Sequence, residues 1–280
     1  MKKIYFYLIF FLTSFDLLAA IEIHGHRGAR ARRPENTLPA FEYAMKIGAD
    51  VLELDMNITK DLKIVVSHDS FISPRLCLDE KKNPAKKIPI YSLTLEEVKK
   101  FDCGSIKNSK FPDQVPVPGA KIPTLDEVFN LAGPSKIQFN IETKIDPRVP
   151  DLSPSPEVFA KLVVDEIEKH HLVSRVVLQS FDYRTLEEAK KLNPKIRISM
   201  LIQNSDLPNW LKIAEKLQAE IISPEFVWLN SPIVEEAHAA KLKVIPWTLH
   251  SKSEWREAKA WNVDGIITDD PEALKDYLNQ

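Results

Sequence analysis

The chain has only two cysteines in 280 residues, Cys77 and Cys103. A bridge between them and two free buried thiols both fit the sequence; a bridge would close a loop worth about 3–4 kcal/mol in the chain-entropy model. Long runs of Lys or Arg are also absent, and the net charge is −2. That argues against a nucleic-acid surface or an anionic-membrane surface, so an anionic substrate has to be held by local charges. The apolar stretch at residues 4–12 falls short of the roughly 20 residues needed to span a bilayer, and no cysteine stands at the end of the leader for a lipid anchor. A stable membrane anchor is therefore not expected.

What is present is an N-terminal address. Lys2 and Lys3 precede the apolar stretch, then come Thr13, Ser14, Asp16 and the small pair Ala19-Ala20. This is the order of a secretory signal peptide over residues 1–20, leaving a mature chain of residues 21–280 that is periplasmic or secreted. In that oxidising setting the two cysteines are candidates for a disulfide. With 44% hydrophobic and 28% charged residues, the mature chain can bury a core large enough for one sizeable α/β domain or two small ones.

Short β-rich runs alternate with amphipathic stretches. Strands are predicted at 21–26, 51–56, 63–68, 137–143, 176–181, 196–202, 220–223, 243–249 and 265–268. Helices are predicted at 36–48, 94–101, 124–131, 156–170, 183–191, 207–217, 231–240, 252–260 and 271–279. Asn36, Thr94 with Glu97, and Pro271 supply start signals. The alternation implies a parallel sheet, open or closed into a barrel. Eight strands close a barrel, so the ninth needs a place. The link between 51–56 and 63–68 is too short for a crossover, which makes that pair an antiparallel hairpin. Centring it on Lys60-Asp61 sets His68 opposite Glu53 and Val66 opposite Asp55. Residues 70–122, rich in Pro and Lys and holding both cysteines, read as an insertion on the active-site rim.

Alternation puts Glu53 and Asp55 on one face of their strand and Leu52, Leu54 and Met56 on the other. The same parity aligns Gln138, Asn140, Glu142 and Lys144. Inward carboxylates are costly unless paired or metal-bound, and three of them suit a hard divalent cation. A buried ion-pair set with Lys144 and Arg27 is the alternative. The first strand ends HGHRGARARRPENT, where Gly25 and Gly28 permit a tight turn and Arg27 offers a fork for phosphate oxygens. His26 stands at the strand end and His24 lies deeper, as a core histidine. His26 and His68 form an acid/base pair across a phosphodiester.

Taken in order, HRGARARRPENTLPAF, GADVLELDMNITKD, VVSHD, LTLEEV, IPTLDEVF, NIETK, LQSFD, PWTL and VDGIITDDP resemble the glycerophosphodiester phosphodiesterase family across essentially the whole mature chain. The resemblance implies a (β/α)8 TIM barrel of the phospholipase-C-like type and hydrolysis of glycerophosphodiesters to an alcohol and sn-glycerol 3-phosphate. By position it implies a metal held by Glu53, Asp55 and Glu142, proton transfer by His26 and His68, phosphate contacts from Arg27 and Lys144, and a glycerol side lined by Gln179, Phe181 and Trp247. One divalent ion is expected, with Ca²⁺ favoured over Mg²⁺ by an all-oxygen site outside the cytoplasm. Leu62 departs from the family's usual Gly, and His250 from its common Asn.

The remaining residues have quieter readings. Phe71, Tyr91 and Phe111 of the insertion are candidates to cap the site, although Tyr91 fits the insertion's own core better. Asp69 supports its loop, Asp269 and Asp270 read as helix caps before Pro271, and His170 and His171 end a helix. His238 has no evident partner. Three rivals remain. One is a zinc-dependent amidohydrolase, suggested by His24-x-His26. Another is a phospholipase-like barrel that releases a cyclic phosphate from lysophospholipids. The last is a non-catalytic binding protein.

Overall fold

The computed structural model describes residues 20–280, so nearly all of the expected signal peptide lies outside the described residues. Nine strands form one sheet: β1 Glu22–Gly25, β2 Val51–Ile58, β3 Ile64–Val66, β4 Gln138–Thr143, β5 Val176–Ser180, β6 Arg197–Ile202, β7 Ile221–Pro224, β8 Lys243–Val244 and β9 Gly265–Thr268. Their order is β8-β7-β6-β5-β4-β2-β1-β9, all parallel, with β3 antiparallel on β2. The ends meet through the Ile267 amide on the Pro246 carbonyl and the Leu249 amide on the Ile267 carbonyl, at 3.0 and 3.1 Å. Eight parallel strands thus make a (β/α)8 barrel, with β3 as the returning arm of a hairpin. Ladder pairing between β7 and β8 stops after two residues rather than running through 249: the Ile245 and Trp247 amides still reach the Ile222 and Pro224 carbonyls, but Pro224 has no amide to return to Ile245, and Pro246 has none for β9.

Nine helices follow: α1 Leu38–Ile47, α2 Leu95–Val98, α3 Leu125–Ala132, α4 Pro156–Lys169, α5 Tyr183–Leu192, α6 Trp210–Leu217, α7 Ser231–Ala239, α8 Lys252–Ala260 and α9 Pro271–Leu278. None of the described helices is long and apolar enough to cross a membrane. Strand residues of one parity, among them Leu52, Leu54, Met56, Phe139 and Ile141, are fully buried in the main core. The other parity fills the barrel, where Val177, Ile221, Ile245 and Ile267 form a small apolar plug beneath Trp247. Charged side chains on that inner face are therefore confined to the two ends of the barrel.

Two local expectations need correction. The β2–β3 register is one residue off: Met56 faces Val66 and Ile58 faces Ile64, so Val66 is not opposite Asp55 and His68 is not opposite Glu53. The loop has three residues, Lys60 to Leu62, closed by the Thr59 amide on the Lys63 carbonyl at 3.0 Å. Leu62 takes the left-handed conformation with φ 58° that such a loop requires. Asn36 is not the helix cap either. Thr37 holds the N-cap position of α1 and makes no side-chain cap bond, which frees Asn36 for another role.

Residues 70–122 form a compact flap on the C-terminal rim. Its own core joins Val65, Ile72, Ile90, Val98 and Ile122 around the bridged pair Cys77–Cys103. Thr94 and Glu97 cap α2 reciprocally. The flap grips the loop after β1 through the Gln114 amide, which donates to the Arg30 carbonyl at 2.6 Å.

Candidate active site

The turn after β1 places the first two functional side chains. A Cβ on Gly25 would meet the Gly28 carbonyl oxygen at 2.2 Å, and Gly28 has φ +85° against the Ala40 backbone. Only glycine closes this turn, which leaves His26 at the strand end and Arg27 in a left-handed conformation with φ 52°. In that pose the Arg27 amide donates to Glu53 Oε2 at 2.9 Å. Its guanidinium reaches Glu35 at 2.6 Å and Asp55 at 3.3 Å.

Register brings the carboxylates together. On paired strands Glu53 faces Asn140, Asp55 faces Glu142, and Glu142 faces Gln179. Oxygens of Glu53, Asp55 and Glu142 all lie within 4.8 Å of one another, and all three residues are buried. Lys144 donates to Glu142 at 2.7 Å and stands 3.6 Å from Asp55. Gln179 donates to Glu53 at 3.0 Å and accepts from Asn140 at 3.0 Å. The Asn36 amide donates to Asp55 at 2.8 Å.

The electrostatics follow from crowding three acids against two cations. Burial pushes the Glu53 carboxyl well up, and Asp55 beside it adds to the rise. Burial also raises Glu142, with Asp55 adding to the rise and Lys144 opposing it. Asp55 resists its own burial because His68, Arg27 and Lys144 hold it well below the usual carboxylate range. Burial works against the Lys144 charge, but Glu142 and Asp55 raise it overall. The surrounding cations thus favour the ionised form of Asp55, while burial and mutual repulsion hold Glu53 and Glu142 towards their neutral forms. A donor set of three oxygens at this spacing fits one hard divalent ion with ligands at roughly 2.3–2.6 Å.

His26 lies between the cluster and the rim. Its Nδ1 is 2.5 Å from Asp269 Oδ1, and its Nε2 is 3.9 Å from Glu53 Oε2. Burial lowers its pKa to about 4, with Arg30 adding to the drop and Asp269 opposing it. His68 stands across the opening, more exposed, with Nδ1 3.1 Å from Asp69. Although β3 ends two residues earlier, the Asn57 amide holds this segment by donating to the Ser67 carbonyl at 2.7 Å. One cavity of about 230 Å³ is lined by His26, Arg27, Arg30, Glu53, His68, Glu142, Lys144, Gln179, Phe181 and Trp247 among others. Phe181 meets Trp247 edge-on at 5.5 Å, and the Trp247 indole donates to the Ser223 carbonyl.

All the candidate site residues except Asp55 line that cavity; Asp55 sits just beneath it, in the carboxylate cluster. The structure also adds Asn36, Glu35, Arg30 and Asp269. Asp270 caps α9 by accepting from the Ala273 amide, whereas Asp269 does not cap and turns to His26. Asp69 likewise contacts His68 rather than only shaping its loop. None of the three insertion aromatics lines the cavity: Phe71 lies under Lys87, Phe111 beside Arg30, and Tyr91 against the barrel core rather than the flap's own. His24 lies deep in the barrel, 3.4 Å from Glu22, and is not a member of the Glu53–Asp55–Glu142 cluster, so among the described residues the ligand pair a zinc amidohydrolase would need is not assembled. His238 does have a partner, Asp264 at 2.9 Å. The surface trio Asp126, Glu166 and His170 is already filled by the Lys169 ammonium, 2.6 Å from Asp126 and 2.9 Å from Glu166.

Residues 26–273 match the glycerophosphoryl diester phosphodiesterase family. A glycerophosphodiester phosphodiesterase of Caldanaerobacter subterraneus subsp. tengcongensis is 35% identical over 249 residues, covering 89% of this chain and 94% of that protein. One from Bacillus subtilis is 29% identical over 258 residues, covering 88% and 83%. The crystal structure of a putative glycerophosphoryl diester phosphodiesterase from Silicibacter pomeroyi superposes with a TM-score of 0.86 at 26% identity, covering 93% of this chain and 94% of that one.

Proposed function

The chain belongs to the glycerophosphoryl diester phosphodiesterase family and shares its activity, and on that premise we propose how its own residues carry out the hydrolysis of a glycerophosphodiester to an alcohol and sn-glycerol 3-phosphate. The observation that carries the proposal is the convergence of Glu53, Glu142, Arg27, Lys144, His26 and His68 on one cavity, with Asp55 joining the two glutamates in one buried carboxylate cluster. Glu53, Asp55 and Glu142 would hold a divalent ion, with Ca²⁺ favoured by the all-oxygen donor set. When bound, that ion supplies Lewis-acid polarisation of the phosphoryl group.

The chain does the rest. Arg27 and Lys144 stand beside the cluster and balance charge that builds on the phosphoryl oxygens. Phe181 and Trp247 offer an apolar wall against the glycerol carbons, and Gln179 a polar one against a hydroxyl. His26 and His68 face the cavity from two sides. One takes a proton from the attacking hydroxyl and the other gives one to the departing alkoxide, so the phosphorus–oxygen ester bond breaks as a new one forms. The Cys77–Cys103 bridge supports an oxidising, exported location.

The test is release of glycerol 3-phosphate from glycerophosphocholine by the mature chain, with EDTA stripping and metal add-back. Turnover should vanish with EDTA and return with Ca²⁺. Undiminished turnover in EDTA overturns the metal assignment, and near-normal turnover in His26→Ala or His68→Ala overturns the proton-transfer assignment. A lysophospholipid run alongside separates a lipid-directed enzyme from one acting on water-soluble diesters.

A further inference from the structure

Asp269 is the first residue after β9, and its side chain is almost fully buried, at 6% exposure. It is the meeting point of three side chains from the loops after β1 and β8. His26 Nδ1, from the end of β1, is 2.5 Å from Oδ1. Arg30, from the loop beyond, sends Nε to Oδ1 at 2.5 Å and Nη2 to Oδ2 at 3.0 Å. His250, from the loop after β8, places Nδ1 3.3 Å from Oδ2. The backbone is fixed as well: the Ala31 amide donates to the Asp269 carbonyl at 3.0 Å, and the His26 amide to the Thr268 carbonyl at 2.9 Å.

This arrangement decides which nitrogen of His26 carries the proton. An ionised carboxylate has no proton to give, so at this separation Nδ1 must be the donor. The neutral ring then has a bare Nε2, and that atom is the one facing the carboxylate cluster, 3.9 Å from Glu53. The Arg30 fork keeps Asp269 ionised and stops it from swinging away. Helix capping, the ordinary task of an acid before a proline, falls to Asp270 instead. Burying a carboxylate at position 269 is costly unless it is fully paired, and here its partners are His26, Arg30 and His250.

We propose that Asp269 is a positioning residue for the reaction. It fixes His26 in the Nδ1–H form with Nε2 presented to the substrate, and Arg30 and His250 hold it in that pose. The inference rests on the reading of His26 as a proton-transferring group and adds the residue that sets its tautomer and orientation.

The experiment compares Asp269→Asn with His26→Ala in the metal-loaded mature enzyme on glycerophosphocholine, together with ¹⁵N NMR of the wild-type imidazoles. Asp269→Asn should lower kcat by about 10²–10⁴-fold, as loss of an orienting carboxylate does elsewhere, and leave KM within about threefold because nothing that grips the substrate has gone. The His26 signal in the wild type should show a protonated Nδ1 and a bare Nε2. A kcat within threefold of wild type in Asp269→Asn, beside an inactive His26→Ala, overturns the positioning role. A protonated Nε2 in the neutral wild-type ring overturns it too, and this readout stands even where the variant fails to fold. If His26→Ala itself keeps its turnover, the failure is of the proton-transfer reading and not of the contact.

Discussion

Asn36 Nδ2 lies 2.8 Å from Asp55 Oδ2, both groups are buried, and the link spans the loop after β1 and the middle of the carboxylate cluster. Asn36 adopts φ 53°, which asparagine tolerates better than most residues. The amide fixes one oxygen of Asp55 and leaves the other towards Lys144. Asn36→Ala should therefore loosen the metal-binding carboxylate without removing it. A second-sphere loss of this kind costs roughly 10–100-fold in metal affinity. Calorimetric Ca²⁺ titration of the variant checks this, and affinity equal to wild type would show that Asp55 needs no such support.

How far the site could be read from the sequence follows from the range of the forces involved. Alternation along a strand is local, so Glu53, Asp55 and Glu142 could be placed on one face without knowing the fold, and register then brought them together. A parallel sheet with covering helices was legible in the same way, since strand and helix alternate along the chain, whereas its closure into eight strands came from the family resemblance. Asn36 and Asp269 were not. Each sits where a helix cap is expected, and what diverts it is a partner 19 or 243 residues away. The hairpin register slipped by one because it depends on Leu62 adopting a left-handed backbone, which a leucine gives no reason to expect.

Leu62 is itself a point of strain. Its φ of 58° brings Cβ against its own carbonyl, and its side chain is 45% exposed, so packing returns little. A left-handed non-glycine residue costs roughly 1–2 kcal/mol, and the added unfolded-state entropy of glycine takes back part of that. Leu62→Gly should stabilise the protein by about 0.5–1 kcal/mol and leave kcat unchanged. Thermal unfolding decides it: a lower Tm would mean that Leu62 gains more from its surface contacts than its backbone loses.

The Cys77–Cys103 bridge closes a loop with a separation of 26 residues inside the flap. Constraining a loop of that size stabilises by about 3–4 kcal/mol in the chain-entropy model. The flap follows directly on His68 and Asp69 and grips the Arg30 loop through Gln114. The Cys77→Ser, Cys103→Ser pair, or the reduced wild type, should therefore unfold at lower denaturant concentration and become open to proteolysis within residues 70–122 first. Coincident unfolding midpoints with and without reductant would count against this.

Asp102 gives the flap a pH dependence of definite sign. Its Oδ1 accepts from the Gly104 and Ser105 amides at 3.2 and 3.1 Å, and its Oδ2 accepts from the Ser105 hydroxyl at 2.7 Å and the Lys82 ammonium at 3.0 Å. Burial pushes this carboxyl up, but the four donors more than reverse it and hold it well below the usual carboxylate range. In the unfolded chain the same group titrates near its ordinary value of about 3.9. Above that pH both states are ionised and the stabilisation is complete. As pH falls below about 4, the unfolded chain takes up the proton first, so stability drains away towards the folded pKa. Asp102→Asn cannot accept the same set of charge-assisted bonds and should cost about 2 kcal/mol at pH 6. The gap between variant and wild type should narrow at pH 3, because only the wild type's unfolded chain then gains stability by taking up a proton, while its folded carboxylate stays ionised. Urea unfolding of both proteins at the two pH values measures this, and a gap that stays constant or widens at pH 3 would place the stabilisation somewhere other than in the charge on Asp102.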